Sequence, residues 1–223
     1  MVQAIEAWLT MVLGRRHFVL VGHSMGGYLV SAYALEHPER VAHLILADPW
    51  GFPAEDNLPL WMRPVKFISG LFNPMMASRL PGRLGRFLLR RVSGYLAEKF
   101  IGAVDDPYEN ITQYLRCCNS QIPTGETCMT QTIMARGGYQ RARIPMVNPL
   151  QALEPNPPIT SIYGPRSWIV REPGWILRES MIGVNVHVID GAGHHVYADQ
   201  KDEFNALVLR KCEETDPAGV GHR

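Results

Sequence analysis

One short segment, residues 22–26 with the sequence GHSMG, restricts the fold of this chain more than any other. The apolar run before it, residues 17–21, predicts a buried strand, and residues 28–36 have the pattern of a helix. Between a strand and a helix, Gly-x-Ser-x-Gly is typical of a tight turn with no room for side chains two residues before and after the serine. We therefore predict that Ser24 is a nucleophile and that the N–H of Met25, at the helix N-terminus, donates to an oxyanion.

Four apolar runs predict strands that alternate with helices, which is the arrangement of a parallel α/β sheet. The predicted strands are residues 17–21, 41–47, 159–163 and 184–189, and the predicted helices include residues 2–13, 28–36 and 201–213. The long stretch between the second and third strands is rich in Met, Pro, Arg and Gly and contains no buried-strand run. We therefore predict a core of residues 1–53 and 158–216, a cap insertion of residues 54–157, and a flexible tail of residues 217–223.

The composition is that of a globular protein and not of a disordered one, with 46% hydrophobic and 19% charged residues. The 22 Lys and Arg residues nearly balance the 21 Asp and Glu residues, which argues against a nucleic-acid-binding protein that works by overall charge. No apolar run approaches the roughly 18 residues of a membrane-spanning helix. The four cysteines form no Cys-x-x-Cys pair and have no zinc-type spacing. We therefore expect reduced thiols in a cytosolic protein, and neither a metal nor another cofactor.

A serine hydroxyl becomes a nucleophile only when a base accepts its proton, and in this fold the base is a histidine after the last strand. His194 follows the fourth predicted strand and is the first candidate, with the neighbouring His195 as its rival. A carboxylate should orient the imidazole. We rank Asp48, at the end of the second strand, above Glu172, which lies beyond the third strand. Asp190 ends the fourth strand and is interpreted as a capping residue.

The predicted cap carries a concentrated positive charge. Between residues 58 and 100 there are eight basic residues and one acidic residue. Arg83, Arg86 and Arg90 lie at helical spacing near an apolar cluster within residues 61–76. One interpretation of this pattern is binding of a phospholipid or an anionic membrane surface, with apolar residues for the chain and arginines for the phosphate. The alternative is a solvated basic helix that covers the core.

Three segments of the chain resemble one animal subfamily of α/β-hydrolases. They are residues 22–29 (GHSMGGYL), 43–53 (HLILADPWGFP) and 191–200 (GAGHHVYADQ), within a similarity from about residue 2 to residue 216. The subfamily contains the lysophospholipase/N-acyl-phosphatidylethanolamine lipase and the lipid-droplet co-activator of adipose triglyceride lipase, comparative gene identification-58. The co-activator has asparagine in place of the elbow serine, so Ser24 favours the hydrolase branch.

The resemblance implies a serine hydrolase that acts on acyl esters of phospholipids or lysophospholipids at the cytoplasmic surface of lipid droplets, membranes or mitochondria. The subfamily also has a His-x4-Asp pattern, here His194 to Asp199, which has been linked to acylation of lysophosphatidic acid. Acyl transfer is therefore a further implied activity, although Asp199 could equally cap the helix that follows it. The alternative function is a catalytically impaired lipid-droplet regulator that binds a triglyceride lipase.

Two departures from the subfamily affect these expectations. Members typically have an acid after the Trp-Ile of residues 168–169, where this chain has Val170. Hydrolases of this type have about eight strands with the elbow after the fifth, so this chain is expected to hold the last four strands. It would then lack the loop that donates the second oxyanion N–H, and loss of one such donor typically lowers the rate about 10²–10³-fold. We therefore expect a partial chain of reduced activity, whose first strand forms an exposed edge.

Overall fold

Strands and helices alternate along the part of the chain that the computed structural model describes. These residues are 1–54, 79, 82–122, 125, 133 and 141–215, apart from the side chains of residues 82–84, 86 and 92. The elements in chain order are α1 (Val2–Leu13), β1 (Phe18–His23), α2 (Met25–Glu36), a 3-10 turn (Pro38–Arg40), β2 (Val41–Ala47), α3 (Gly82–Glu98), α4 (Pro107–Asn119), α5 (Val147–Gln151), β3 (Ile159–Tyr163), α6 (Glu172–Ser180), β4 (Val184–Val188), α7 (Val196–Asp199) and α8 (Lys201–Thr215).

The four strands form one parallel sheet in the order β1-β2-β3-β4. In the register of the sheet, Val19 pairs with His43, Leu44 pairs with Ile159, and Ile159 pairs with Val184. Because the strands are parallel, the segments that follow them all leave from the same edge of the sheet. The predicted parallel α/β class is confirmed, and β1 forms one edge of this sheet.

The central strands β2 and β3 form the apolar core. All five residues of β3 are buried, and Leu44 and Ile45 of β2 are fully buried. Continuous apolar runs suit the central strands of a parallel sheet because helices cover both of their faces. On one face, Ile45 belongs to a buried cluster with Phe204 and Leu207 of α8. This packing fixes the strand ends from which the loops of the site leave.

Polar contacts attach α1 to the sheet domain. The Tyr33 hydroxyl of α2 donates a hydrogen bond to the Glu6 carboxylate of α1 at 2.5 Å, and the Arg40 guanidinium donates to the Gly14 carbonyl at 2.7 Å. Burial, followed by the Glu6 contact, raises the pKa of Tyr33 to about 12, so the phenol stays protonated and acts as a donor. The contact holds the first helix beside the helix that follows Ser24.

The chain divides into two compact units, Met1–Asp56 with Gln140–Arg223 and Asn57–Tyr139. The second unit contains α3 and α4. Within it, Ser93 and Thr112 share a buried hydrogen bond of 2.7 Å between their hydroxyl oxygens, so the two helices pack closely at this point. The predicted cap boundaries at residues 54 and 157 stay a prediction. Among the described residues, no helix is long and apolar enough to span a membrane.

Candidate active site

Ser24 occupies a strained turn between β1 and α2. Its backbone has φ 55° and ψ −121°, a conformation that L-residues rarely adopt, and such strain is typical of functional sites. The Ser24 N–H donates to the Ala47 carbonyl at 3.0 Å, and the Trp50 N–H donates to the Ser24 carbonyl at 3.1 Å. The turn is therefore held from both sides by the segment at the end of β2. Met25 is the first residue of α2, where helical N–H groups have no intrahelical acceptor.

Only one of the two motif glycines is required by the tightness of this turn. A Cβ atom at Gly22 would lie 2.5 Å from the Gly26 carbonyl oxygen, so the position admits no side chain. The expectation that Gly26 is equally constrained is wrong, because a Cβ there would meet no atom within 4 Å. The second constrained position is instead Gly27, where a Cβ would lie 2.8 Å from the Pro49 side chain. α2 can therefore pack closely against the segment after β2.

The structure brings Ser24, His194 and Asp48 together. The His194 Nε2 lies 3.0 Å from the Ser24 Oγ, and the His194 Nδ1 lies 2.6 Å from the Asp48 Oδ2. An ionised carboxylate can only accept hydrogen bonds, so Nδ1 carries the proton and the Nδ1–H donates a hydrogen bond to Asp48. In the neutral imidazole, Nε2 is then an acceptor and faces the Ser24 hydroxyl proton. This arrangement is the geometry of a Ser-His-Asp triad.

Asp48 is held in a fully buried position by contacts on both its backbone and its side chain. Its N–H donates to the Ile162 carbonyl at 2.7 Å, and its φ is 45°. The Ser167 hydroxyl donates to the same carboxylate oxygen that accepts from His194, and the Ser167 Oγ in turn accepts the Ile169 N–H at 3.1 Å. Because the Ile169 N–H occupies one lone pair of Ser167, the hydroxyl proton is directed toward Asp48.

The other predicted carboxylates lie elsewhere at the edge of the sheet. Glu172 begins α6 and is exposed, and Asp190 follows β4 and is also exposed. The sequence left the acid open between Asp48 and Glu172, and the contact with His194 singles out Asp48. Its carboxylate also affects a neighbour: burial and then the Asp48 charge raise the pKa of Tyr163 far above its usual range. Tyr163 therefore stays neutral beside the Asp48 carboxylate.

The turn that carries His194 lies directly against the loop after β3. A Cβ at Gly164 would lie 2.3 Å from the Gly193 carbonyl oxygen, so glycine is needed for the two loops to approach. The Arg166 N–H donates to the Ala192 carbonyl at 3.1 Å and links the same two loops. These contacts bring His194, which follows the edge strand β4, toward the ends of β1 and β2.

Three rings lie close to the His194 imidazole, and the centroid of one of them, His195, lies 5.3 Å from that of His194. The centroid of the Trp168 ring lies 5.0 Å from that of His194, and the centroid of the His23 ring lies 4.7 Å from it. Burial lowers the pKa of His23, so this neighbour is neutral at pH 7. A neutral ring does not oppose a positive charge on His194, whereas a second imidazolium would.

The predicted lipid-binding arginines belong to the other compact unit. Arg90 lies in α3 and forms an ion pair of 3.8 Å with Glu109 of α4. The side chains of Arg83 and Arg86 lie outside the described residues. Two large rings on α3, Phe87 and Tyr95, are 60% and 63% exposed, so the helix presents aromatic as well as basic residues to solvent. Among the described residues, no cluster of three or more His, Cys, Asp or Glu side chains could hold a metal ion.

Comparison with known families identifies the family of this chain. The profile of the family described as alpha/beta hydrolase fold matches residues 1–200. The chain belongs to the alpha/beta hydrolase family. A serine hydrolase from Cycloclasticus zankles has the same fold, with a TM-score of 0.59 and 21% identity over 91% of this chain and 66% of that one.

Curated relatives of this alpha/beta hydrolase confirm the resemblance to the subfamily. (Lyso)-N-acylphosphatidylethanolamine lipase of Mus musculus is 37% identical over 96% of this chain and 64% of its own length. 1-acylglycerol-3-phosphate O-acyltransferase ABHD5 of Sus scrofa is 35% identical over 96% of this chain and 62% of its own length. The chain thus spans a little over three fifths of the length of these relatives.

Proposed function

We propose that this chain is a serine hydrolase that acts on acyl esters of phospholipids or lysophospholipids, with Ser24 as the nucleophile. The observation that supports the proposal is the continuous hydrogen-bonded series from the Ser24 hydroxyl through His194 to the buried Asp48. The substrate class rests on the names of the relatives, a (lyso)-N-acylphosphatidylethanolamine lipase and a 1-acylglycerol-3-phosphate O-acyltransferase.

The first half of the proposed reaction forms an acyl-enzyme. The Ser24 Oγ attacks the ester carbonyl while its proton passes to the His194 Nε2, and Asp48 stabilises the imidazolium that results. The Met25 N–H donates to the oxyanion of the tetrahedral intermediate. When the bond from carbon to the alcohol oxygen breaks, His194 returns the proton to the leaving lysolipid or glycerophosphate alcohol.

The second half of the reaction depends on the acceptor that reaches the acyl-enzyme. Water gives hydrolysis: His194 accepts a proton from the attacking water, and the released Ser24 oxygen takes that proton back as the fatty acid leaves. The hydroxyl of lysophosphatidic acid reacts in the same way and gives phosphatidic acid. Acyl transfer is therefore the second candidate activity, and the relative named as an acyltransferase supports it.

Labelling with a fluorophosphonate probe tests the nucleophile. We expect the wild-type chain to be labelled and Ser24→Ala to be unlabelled, while Ser120→Ala, which changes an exposed serine of the other unit, is labelled like the wild type. Asp48→Asn should label far more slowly, because the corresponding change in a serine protease costs about 10⁴-fold. Absence of labelling in a folded wild-type chain would refute the proposal and favour the lipid-droplet regulator that binds a triglyceride lipase.

Product analysis then separates the two acceptors. The chain is incubated with lyso-N-acylphosphatidylethanolamine in the presence and absence of lysophosphatidic acid, and fatty acid and phosphatidic acid are quantified. Fatty acid alone indicates hydrolysis, whereas phosphatidic acid that forms at the expense of fatty acid indicates transfer. A labelled enzyme that forms neither product would contradict the proposed substrate class but not the nucleophile.

We further propose that the basic helix α3 binds an anionic lipid surface at a membrane or lipid droplet. The support is the combination of Arg83, Arg86 and Arg90 with the exposed rings of Phe87 and Tyr95, because basic and aromatic residues together suit the headgroup region. Sedimentation with phosphatidylcholine vesicles, with or without phosphatidylserine, tests the proposal. Exchange of the three arginines for glutamine should abolish the preference for phosphatidylserine, whereas a glutamine exchange at the exposed pair 15–16 should leave it intact. Equal sedimentation of the two variants would contradict the proposal.

A further inference from the structure

Two backbone groups in the turn that carries His194 are each held by a side chain. On the amino-terminal side, the Gly193 N–H donates to the Asp199 Oδ2 at 2.7 Å. On the carboxyl-terminal side, the His194 carbonyl oxygen lies 2.8 Å from the His23 Nε2, and a carbonyl can only accept, so Nε2 carries a proton and donates it. The turn is therefore held by side chains at His194 itself and at the residue before it, in addition to the contacts of the His194 imidazole.

The two side chains connect this turn to different parts of the fold. His23 is the last residue of β1 and is covalently next to Ser24, so its hydrogen bond connects the turn directly to the strand that carries the nucleophile. Asp199 ends the short helix α7, whose N–H groups at residues 198 and 199 donate to the His195 carbonyl. Its carboxylate reaches back over six residues and closes the turn into a ring.

We infer that His23 and Asp199 are positioning residues that together hold His194 in line with Ser24. The inference rests on the proposed function, in which the 3.0 Å contact between the His194 Nε2 and the Ser24 Oγ is the path of the proton. Each residue acts through a backbone group of the turn, Asp199 on the Gly193 N–H and His23 on the His194 carbonyl. Displacement of a catalytic group by about 1 Å can lower a rate about 10²-fold, so the backbone of this turn is where rigidity matters most.

The His-x4-Asp pattern acquires a different meaning from this contact. An aspartate that takes part in acyl transfer would have to accept or give a proton at its carboxylate. An aspartate that holds the Gly193 N–H needs only an acceptor oxygen, and the side-chain amide of asparagine supplies one. Asp199→Asn therefore separates a positioning role from a chemical one, while Asp199→Leu removes the acceptor in a side chain of similar size.

A matched pair of changes exists for His23 as well. His23→Gln retains an N–H donor at nearly the position of the imidazole Nε2, whereas His23→Phe retains a ring beside His194 but loses the donor. Two exposed residues outside the site provide the controls: His17→Phe and Asp202→Leu make the same chemical changes there.

The rate constant for fluorophosphonate labelling of Ser24 is measured for all six variants, together with kcat and KM for a soluble p-nitrophenyl ester. We expect His23→Phe and Asp199→Leu to be slower by about tenfold to a hundredfold with KM unchanged. The conservative variants His23→Gln and Asp199→Asn should stay within about threefold of the wild type, and the two controls should match it. Urea unfolding of each variant shows that it is folded under the assay conditions, and Asp199→Ala replaces Asp199→Leu if that variant is not.

Two results would overturn the inference. If Asp199→Asn is as slow as Asp199→Leu, the carboxylate charge matters and not the hydrogen bond to Gly193. If His23→Phe labels at the wild-type rate, the donor to the His194 carbonyl is dispensable. Failure of the proposed function is a separate result, because the wild type itself would then remain unlabelled. In that case the NMR signal of the His194 Nδ1–H is compared among the variants. If His23→Phe and Asp199→Leu retain this signal, the inference is contradicted. If these two variants lose the signal and the conservative variants retain it, the inference is supported.

Discussion

Substitution of Gly164 by alanine is the sharpest test of how the base is placed. The new Cβ would lie 2.3 Å from the Gly193 carbonyl oxygen and 2.7 Å from that of Ala192, whereas ordinary contact begins at 3.4 Å. The turn that carries His194 must therefore retreat by about 1.1 Å, the difference between 2.3 and 3.4 Å. A retreat of this size along the hydrogen bond would lengthen the 3.0 Å contact with Ser24 beyond hydrogen-bonding range.

From this displacement we expect labelling of Ser24 to slow about 10²-fold. The free energy of unfolding should fall by about 1–3 kcal/mol, the usual cost of overpacking. The assay compares the labelling rate and the urea midpoint of Gly164→Ala with those of Gly94→Ala, where a Cβ on α3 meets no atom within 4 Å. The control should be labelled at the wild-type rate, and its free energy of unfolding should rise by about 0.5–1 kcal/mol, because glycine is unfavourable inside a helix. A folded Gly164→Ala protein that labels at the wild-type rate would refute the placement of His194 by loop contact.

Three further outcomes are expected from the same structure. Ser167→Ala should lower kcat about tenfold with little change in KM, because one lost hydrogen bond to the buried Asp48 is worth about 1.4 kcal/mol. Ser167→Thr keeps a hydroxyl and should restore part of the activity. Equal kcat values for the two variants would contradict this role of Ser167. Gly22→Ala should unfold the elbow or fail to fold, whereas Gly26→Ala should fold, and circular dichroism distinguishes the two. Burial lowers the pKa of three histidines in the folded chain. Below pH 6.5 these histidines take up protons on unfolding, so the free energy of unfolding is largest above pH 6.5 and falls as the pH drops below it. Urea unfolding at pH 7.5 and 5.5 measures this free energy, and a larger value at pH 5.5 would contradict the prediction. The three are His23, His43 and His187.

The sheet was largely predictable because its strands are short apolar runs with a glycine or proline within, or within three residues after, the end of each strand. Residues 41–47 and 159–163 were predicted with the bounds that the structure gives to β2 and β3. These strands are central and buried on both faces, so their sequences carry a strong signal. β1 extends two residues beyond the predicted run, through Gly22 and His23, because its pairing with β2 continues to the turn.

The acid was harder to predict because its position depends on which loop reaches the histidine and not on any local pattern. Asp48 and Glu172 both follow strands that end at the same edge of the sheet. Asp48 reaches His194 because its backbone turns to φ 45° and its N–H bonds to Ile162 across the sheet. No periodicity of the sequence reports such a conformation.

Two supporting side chains gave little signal in the sequence. Ser167 lies in the loop after β3, and its hydroxyl donates a hydrogen bond to Asp48, the carboxylate that follows β2. His23 is the variable residue before the serine in the Gly-x-Ser-x-Gly pattern, and its contact with the His194 carbonyl joins residues 171 positions apart. Contacts of such sequence separation follow from the assembled fold and from no local rule.

The mutual hydrogen bonds between the Ser24 turn and the end of β2 have a consequence for how such a sequence can change during evolution. Ser24 and Asp48, the proposed nucleophile and acid, belong to a single strand-helix-strand unit from Phe18 to Asp48 and are fixed relative to each other by adjacent strands. More than a hundred residues separate Asp48 from β3, and insertions or deletions there leave the distance between Ser24 and Asp48 untouched. The pair Ser24 and Asp48 can therefore be inherited as one piece, whatever changes in length occur in that segment.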